Sequence, residues 1–283
     1  MDSPRTAYLD RPGGRIAFDV AGRGPLVIAV PGMGDLRAVY RFLAPALVPA
    51  GFRVATMDLR GHGDSDATFS SYDDAAAGSD LIALVERLGG PAFFVGNSMG
   101  GAAAVWAAAE APDLAAGLVL IDPSVREIPV GAARKLAYRL GLLRPWGPAV
   151  WNAYYSRLYP DRPPTDFPAY RARIRESLRR PGRWKAFVAT TRTSHAAAEA
   201  RMKDVRAPAL VIMGSRDPDF PDPEAEAGLV AERLNGRVMM VSGAGHYPQA
   251  EYPEVVNPAV IGFLVSISRR VRLRAGGGEP AGA

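Results

Sequence analysis

Seven short apolar runs, separated by longer stretches of helical periodicity, are the feature that most limits what this chain can become. The runs are Arg15–Val20, Leu26–Val30, Arg53–Met57, Ala92–Val95, Leu118–Ile121, Ala209–Met213 and Val238–Val241. Most are apolar at nearly every position, the pattern of strands covered on both faces. Helical patterns fall between them, at Leu36–Leu47, Ser79–Leu88, Met99–Ala109, Glu224–Leu234 and Glu254–Ser266. Alternation of this kind predicts an α/β fold, with a mostly parallel central sheet flanked by helices. One region breaks the rhythm. Residues 125–206 hold no convincing strand and are rich in Arg, Trp, Tyr and Pro. They read as a helical insertion between two core strands. The core is then 1–124 and 207–268, and the basic, glycine-rich stretch 269–283 reads as a flexible tail.

Several classes of function are excluded early. The 283 residues contain no cysteine. Disulfides, thiolate metal sites and cysteine nucleophiles are therefore ruled out. Only three histidines exist, His62, His195 and His246, so a catalytic imidazole must be one of them. Their scattered spacing predicts no metal centre, and no glycine-rich phosphate loop points to a nucleotide cofactor. The first residues, MDSPRTAYLDRPGGR, lack the apolar stretch of a signal peptide. No segment approaches the roughly 20 apolar residues of a membrane span. A cytoplasmic protein without integral membrane association is expected.

The strongest local signal is Gly96-Asn97-Ser98-Met99-Gly100, followed by Gly101. It matches G-x-S-x-G, and it lies between an apolar strand and an alanine-rich helix. A serine on such a sharp turn adopts a strained backbone, and chains pass so close two residues before and after it that only small residues fit. The turn lifts the hydroxyl above the sheet edge, at the positive end of the following helix. The competing reading is a glycine-rich turn with a helix-capping serine.

A serine hydroxyl needs a base. His246 lies in Ser242-Gly243-Ala244-Gly245-His246-Tyr247-Pro248, a small-residue loop directly after the last strand. That loop can hold an imidazole over the sheet edge where Ser98 is expected. A carboxylate should orient the imidazole and stabilise its charged form. Asp217 is the first acidic residue after the strand Ala209–Met213 and is the preferred candidate. Asp219, two residues on, and Asp122, at the end of Leu118–Ile121, remain competitors.

The order Ser98, Asp217, His246 is that of the α/β-hydrolase fold. From about Tyr8 to Ile267 the sequence resembles α/β-hydrolases of the esterase, haloperoxidase and epoxide-hydrolase-like branch. The resemblance implies an oxyanion hole from the backbone N–H of Met99 and of Met33, the latter in Pro31-Gly32-Met33-Gly34-Asp35. Pro31 stands where that family usually has histidine, so side-chain support of this loop must differ. Asp58-Leu59-Arg60-Gly61-His62-Gly63-Asp64-Ser65 looks like the family's D-x-R-G-x-G-x-S loop, which makes His62 a scaffold residue. The insertion sits where the family places its cap, which implies a lid over the nucleophile. Most of its aromatics must be packing. Trp151 and Tyr155, together with His195, are the expected substrate contacts in an apolar or aromatic pocket.

The implied activity is hydrolysis of a carboxylic ester, or of a related lactone, thioester or C–C bond, without a cofactor. A non-catalytic ligand-binding member of the fold is the alternative. A small-molecule substrate is the expected partner, nucleic acid is not, and a monomer or homodimer is expected. The net charge of +5 qualifies this picture. Residues 125–206 hold 18 Lys and Arg against 6 Asp and Glu, so a basic insertion sits on an acidic core. Attraction between the two accounts for much of that, and contact with anionic substrates or surfaces is the sharper alternative.

Overall fold

Strands that are apolar on both faces need helices on both sides, and this chain supplies them. The computed structural model describes residues 6–128 and 131–276. Its strands are β1 (Ala7–Arg11), β2 (Gly14–Gly22), β3 (Leu26–Val30), β4 (Arg53–Met57), β5 (Ala92–Asn97), β6 (Ala115–Ile121), β7 (Ala209–Gly214) and β8 (Arg237–Val241). They form one sheet in the order β1-β2-β4-β3-β5-β6-β7-β8. β2 runs antiparallel to β1 and β4, and the remaining pairs are parallel. The eight-stranded, mostly parallel sheet with flanking helices is the α/β architecture expected from the alternation.

The core helices are α1 (Leu43–Leu47), α2 (Asp74–Leu88), α3 (Met99–Glu110), α9 (Pro223–Arg233), α10 (Pro248–Glu251) and α11 (Pro253–Gly276). Between β6 and β7 lie α4 (Ala132–Gly141), α5 (Gly147–Arg157), α6 (Phe167–Arg179), α7 (Arg183–Thr190) and α8 (Ala196–Arg201). Alternate residues of β3 divide between two cores. Leu26, Ile28 and Val30 pack with α2, α3 and α9 on one side. Val27 and Ala29 pack with α1 and α11 on the other. Helix starts follow side-chain capping: Asp73 accepts from Ala76 N–H before α2, and Asp222 from Ala225 N–H before α9.

Three elements differ from expectation. β1 was not predicted, because only Leu9 of its five residues is buried and no apolar run announces it. It exists as the outer arm of a hairpin turned at Pro12-Gly13, where Gly13 has φ +94°. The helix expected over Leu36–Leu47 is split into a 3₁₀ turn at Arg37–Tyr40 and the short α1. Pro45 explains the break, since it is tolerated only in a first turn, where no backbone donor is needed. The tail expected to be flexible over 269–283 begins instead as helix, since α11 runs to Gly276. Arg, Leu and Ala favour helix and no breaker intervenes before the glycines. Residues 277–283 lie outside the described residues.

The inserted helices are not uniform. Trp151, Tyr155, Tyr159, Phe167, Tyr170, Trp184 and Phe187 are buried together in one aromatic cluster. Ala198 and Met202, at the end of the insertion, join the core beside α3 instead.

One of the closest backbone crossings over the sheet is at the start of α3. A Cβ on Gly100 would sit 2.1 Å from the Val30 carbonyl oxygen, and one on Gly96 would sit 2.2 Å from that of Gly100. Gly100→Ala should therefore destabilise the fold by about 1–3 kcal/mol, read by chemical denaturation. Gly228→Ala is the control. It lies in α9, where a Cβ meets nothing within 4 Å, and should stabilise by up to about 1 kcal/mol.

Candidate active site

Ser98 sits between β5 and α3 with φ 53° and ψ −123°, a conformation a non-glycine residue rarely adopts. The neighbours hold it there. Ser98 N–H donates to the Ile121 carbonyl (3.0 Å), and the Ser98 carbonyl accepts from Gly101 N–H (2.8 Å) and Ser124 N–H (3.2 Å). A Cβ on Gly32 would lie 2.9 Å from the Ser98 Cβ, which brings the loop after β3 against the serine. The N–H groups of Met99, which follows Ser98, and of Met33, which follows Gly32, have no acceptor among the described residues. Ser98 Oγ lies 3.3 Å from the Ser124 hydroxyl, a neighbour the sequence did not single out.

β7 and β8 end side by side and bring the other two residues in. A Cβ on Gly214 would lie 2.0 Å from the Gly245 carbonyl, so glycine is needed where these loops touch. His246 N–H donates to Leu158 at the end of α5 (3.0 Å), and the Asn97 side chain donates to the His246 carbonyl (3.0 Å). The Ser98 turn and the histidine loop are thus tied together. His246 Nδ1 lies 2.7 Å from Asp217 Oδ2 and 3.6 Å from Asp219 Oδ2. Asp219 also accepts from the Tyr154 hydroxyl and from its own loop's geometry gains the role of a neighbour, its N–H donating to Asp217 Oδ1 (2.9 Å). With Nδ1 occupied by Asp217, Nε2 is the imidazole atom free to exchange a proton.

Asp122 lies against this pair, fully buried and with φ 42°. Its Oδ1 accepts from Gly214 N–H (2.9 Å), and no donor reaches Oδ2. Burial and the Asp217 charge push Asp122 well above the usual carboxylate range. Burial alone would also raise Asp217, but the His246 charge and its hydrogen bond hold it below the ordinary value. His246 is buried, which opposes its charge, yet Asp217 and Asp219 outweigh this and push it up to about 10. Ligand atoms of Asp122, Asp217 and His246 lie within 4.8 Å of one another. The atoms a cation would take from Asp217 and His246 are already joined in their mutual hydrogen bond.

His62 solves the problem left by Pro31. Gly34 N–H donates to His62 Nε2 (2.9 Å), and Nδ1–H donates to the Arg60 carbonyl (2.8 Å). Burial pushes this imidazole down to about 4, so it stays neutral and able to accept. The next residue, Asp35, is buried and receives the hydroxyls of Tyr155 (2.9 Å) and Tyr170. Tyr155 is therefore engaged beside the loop, with its hydroxyl bonded to protein. Trp151 lies against Gly34, where a Cβ would be 2.4 Å from its ring. His195 is elsewhere, with Nδ1 2.8 Å from Asp74 Oδ2 at the start of α2. The structure thus brings Ser98, Met33, Met99, His246 and Asp217 to one edge, with Trp151 and Tyr155 above the loop.

Ser98 is 5% exposed, and the space beside Met99, lined by Leu59, Tyr72 and Thr190, is about 10 Å³. A cavity of about 360 Å³ lies farther out, among α5, α6 and the segment before α5, and Trp151 and Tyr155 form part of its wall.

Comparison with known proteins gives one family. The profile of the "Alpha/beta hydrolase family" matches residues 27–259. The 2-(acetamidomethylene)succinate hydrolase of Mesorhizobium japonicum is 29% identical over 267 residues, covering 89% of this chain and 92% of that one. The polyketide synthase ThaQ of Burkholderia thailandensis is 32% identical over 270 residues, which is 90% of this chain but 12% of that much longer one. Among solved structures, a thermophilic esterase from Thermogutta terrifontis superposes with a TM-score of 0.74 at 26% identity, covering 93% of this chain and 99% of that chain.

With only three histidines, their titration is directly observable. Imidazole NMR should show His62 neutral at pH 7, with its proton on Nδ1, and still neutral at pH 5. His246 should hold its proton well above the ordinary 6.5, and Asp217→Asn should bring that value down.

Proposed function

Because the chain belongs to the alpha/beta hydrolase family, we propose that it is a serine hydrolase cleaving a carboxylic ester or related acyl bond through an acyl-enzyme. The observation that carries this reading is the conjunction at Ser98. A serine held at positive φ has uncommitted backbone N–H groups at the next residue, Met99, and at Met33 in the loop against it, with a histidine–carboxylate pair tied to the same turn. Helix capping alone does not account for it, since the Ser98 side chain makes no cap hydrogen bond to α3.

The steps follow from these positions. Ser98 Oγ attacks the acyl carbon, and its proton passes to His246 Nε2. The carbonyl π electrons move to the oxygen, which the Met33 and Met99 N–H groups receive. The oxyanion collapses, the bond to the leaving group breaks, and His246 returns the proton to that group. Water then adds to the acyl-enzyme by the same route, releasing the acid and restoring Ser98. Asp217 fixes the imidazole tautomer and stabilises its charged form. Serine at position 98 favours this chemistry over a carboxylate nucleophile. The inserted helices serve as a cap that excludes water from the site. The esterase likeness and the hydrolase from M. japonicum both support acyl-bond hydrolysis.

The decisive experiment is covalent labelling. A fluorophosphonate should add one adduct to the wild type and none to Ser98→Ala, beside a panel of esters, lactones and thioesters. Folded wild type that neither labels nor turns over any of them would favour a binding protein instead. Ser98→Ala and His246→Ala should each cost several orders of magnitude. Asp217→Asn should cost about 10⁴-fold in turnover. Asp122→Asn should stay within about tenfold, because the amide oxygen can still accept from Gly214 N–H as the carboxylate oxygen does. A reversal of those two results would exchange the roles of the carboxylates.

The pH dependence follows with its sign. His246 must be neutral to accept the Ser98 proton, and its neighbours favour the charged form. Turnover should therefore rise with pH along a limb whose midpoint lies above 6.5, measured with an ester stable in alkali.

A further inference from the structure

The face of the inserted helices turned away from the sheet combines two features that the hydrolytic site does not use. The first is apolar. Leu136 and Leu140 on α4, then Leu143, Trp146 and Val150, are large side chains left between 45% and 57% exposed. Leu136 and Leu140 share one face of α4, and Leu143 lies just past its end. They form one patch with the start of α5: the Trp146 indole N–H donates to the Leu140 carbonyl (2.8 Å), and a Cβ on Gly141 would lie 3.8 Å from Val150. Between them, Leu142 is buried and its carbonyl accepts from the Trp184 indole, which fixes the segment to the body.

The second feature is charge. Residues 128–160 contain five Lys and Arg and no Asp or Glu. Beside the patch opens the cavity of about 360 Å³, lined by Arg144, Arg171, Arg175 and Arg179 over a floor that includes Trp151 and Ile174. No acidic residue lines it, and among the described residues no carboxylate pairs with any of these four arginines. The Trp151 indole N–H faces no acceptor.

We propose that this face docks on an anionic lipid surface, with the α4 leucines and Trp146 seated at the headgroup boundary and the four arginines receiving lipid phosphates. An amphipathic helix with basic flanks and a tryptophan at its edge is suited to that boundary. Charge decides against a second copy of this chain, since a strongly basic face would meet itself. A small soluble anion would engage the arginines but leave the leucine row in water. The association is peripheral: among the described residues no helix is long and apolar enough to cross a membrane. The proposal stands independently of the proposed hydrolysis.

The test is flotation of the full chain with phosphatidylglycerol–phosphatidylcholine vesicles and with pure phosphatidylcholine vesicles. Binding should be at least about tenfold stronger to the anionic vesicles and should weaken at high salt. The triple variants L136S/L140S/L143S and R144Q/R175Q/R179Q should each lose about tenfold or more, with unchanged far-UV circular dichroism and melting temperature. Trp146→Phe should abolish a vesicle-induced blue shift in tryptophan emission, and because it is a mild exchange on the surface it serves if a triple variant fails to fold. No preference for anionic vesicles, or binding untouched by both sets of changes, would overturn the proposal. So would a concentration-dependent dimer in solution that the leucine changes dissociate, which would assign the patch to a second copy.

Discussion

Everything at the catalytic edge depends on one close approach of backbone to backbone. The first turn of α3 passes so near the end of β3 that Gly100 has no room for a Cβ beneath the Val30 carbonyl. This proximity lets the loop after β3 lie against Ser98, with Gly32 in contact with the serine side chain. Two strands adjacent in the sheet, β3 and β5, thereby lead Ser98, the proposed nucleophile, and two unspent N–H groups to the same sheet edge. The strain at Ser98 is sustained by the carbonyl and amide partners on either side of it.

A second dependence runs outward from the same loop. His62 holds Gly34, and Asp35 holds two tyrosines from α5 and α6. Arg183 on α7 donates to the Ser65 carbonyl, and Arg180 to that of Gly63 (2.9 Å). The basic insertion is therefore bound to the core by directed hydrogen bonds, many of them to backbone oxygens. General attraction between a basic and an acidic body describes only part of it. The arginines of α6 that face away from the core are left over from this arrangement.

Much of the fold was legible because β3 and β4 are apolar runs whose limits the chain itself marks. The G-x-S-x-G turn and the order of Ser98, Asp217 and His246 were legible for a similar reason, since each lies directly after a strand. What was not legible is long-range or locally plain. β1 has one buried residue and depends on its hairpin partner. The support given by His62 to Gly34 spans 28 residues and leaves no mark in either segment. Tyr155 looked like a substrate contact because an aromatic residue does not declare where its hydroxyl goes. The approach of Ser124 to Ser98 and of Asp122 to the Asp217–His246 pair depends on how several loops meet, which no single segment encodes.

The closure over Ser98 carries a further consequence. In the proposed hydrolysis, a serine only 5% exposed meets its substrate in an arrangement where the residues packed around it have given way. Apparent affinity then equals intrinsic affinity scaled by the fraction of molecules in that arrangement. The bonds from Tyr155 and Tyr170 to Asp35 bear on that fraction, because they join α5 and α6 to the loop after β3 that lies against Ser98. Under the proposed reading, selectivity among substrates is exercised partly at the threshold, by which molecules can open a way to Ser98, before any difference in acyl chemistry is felt.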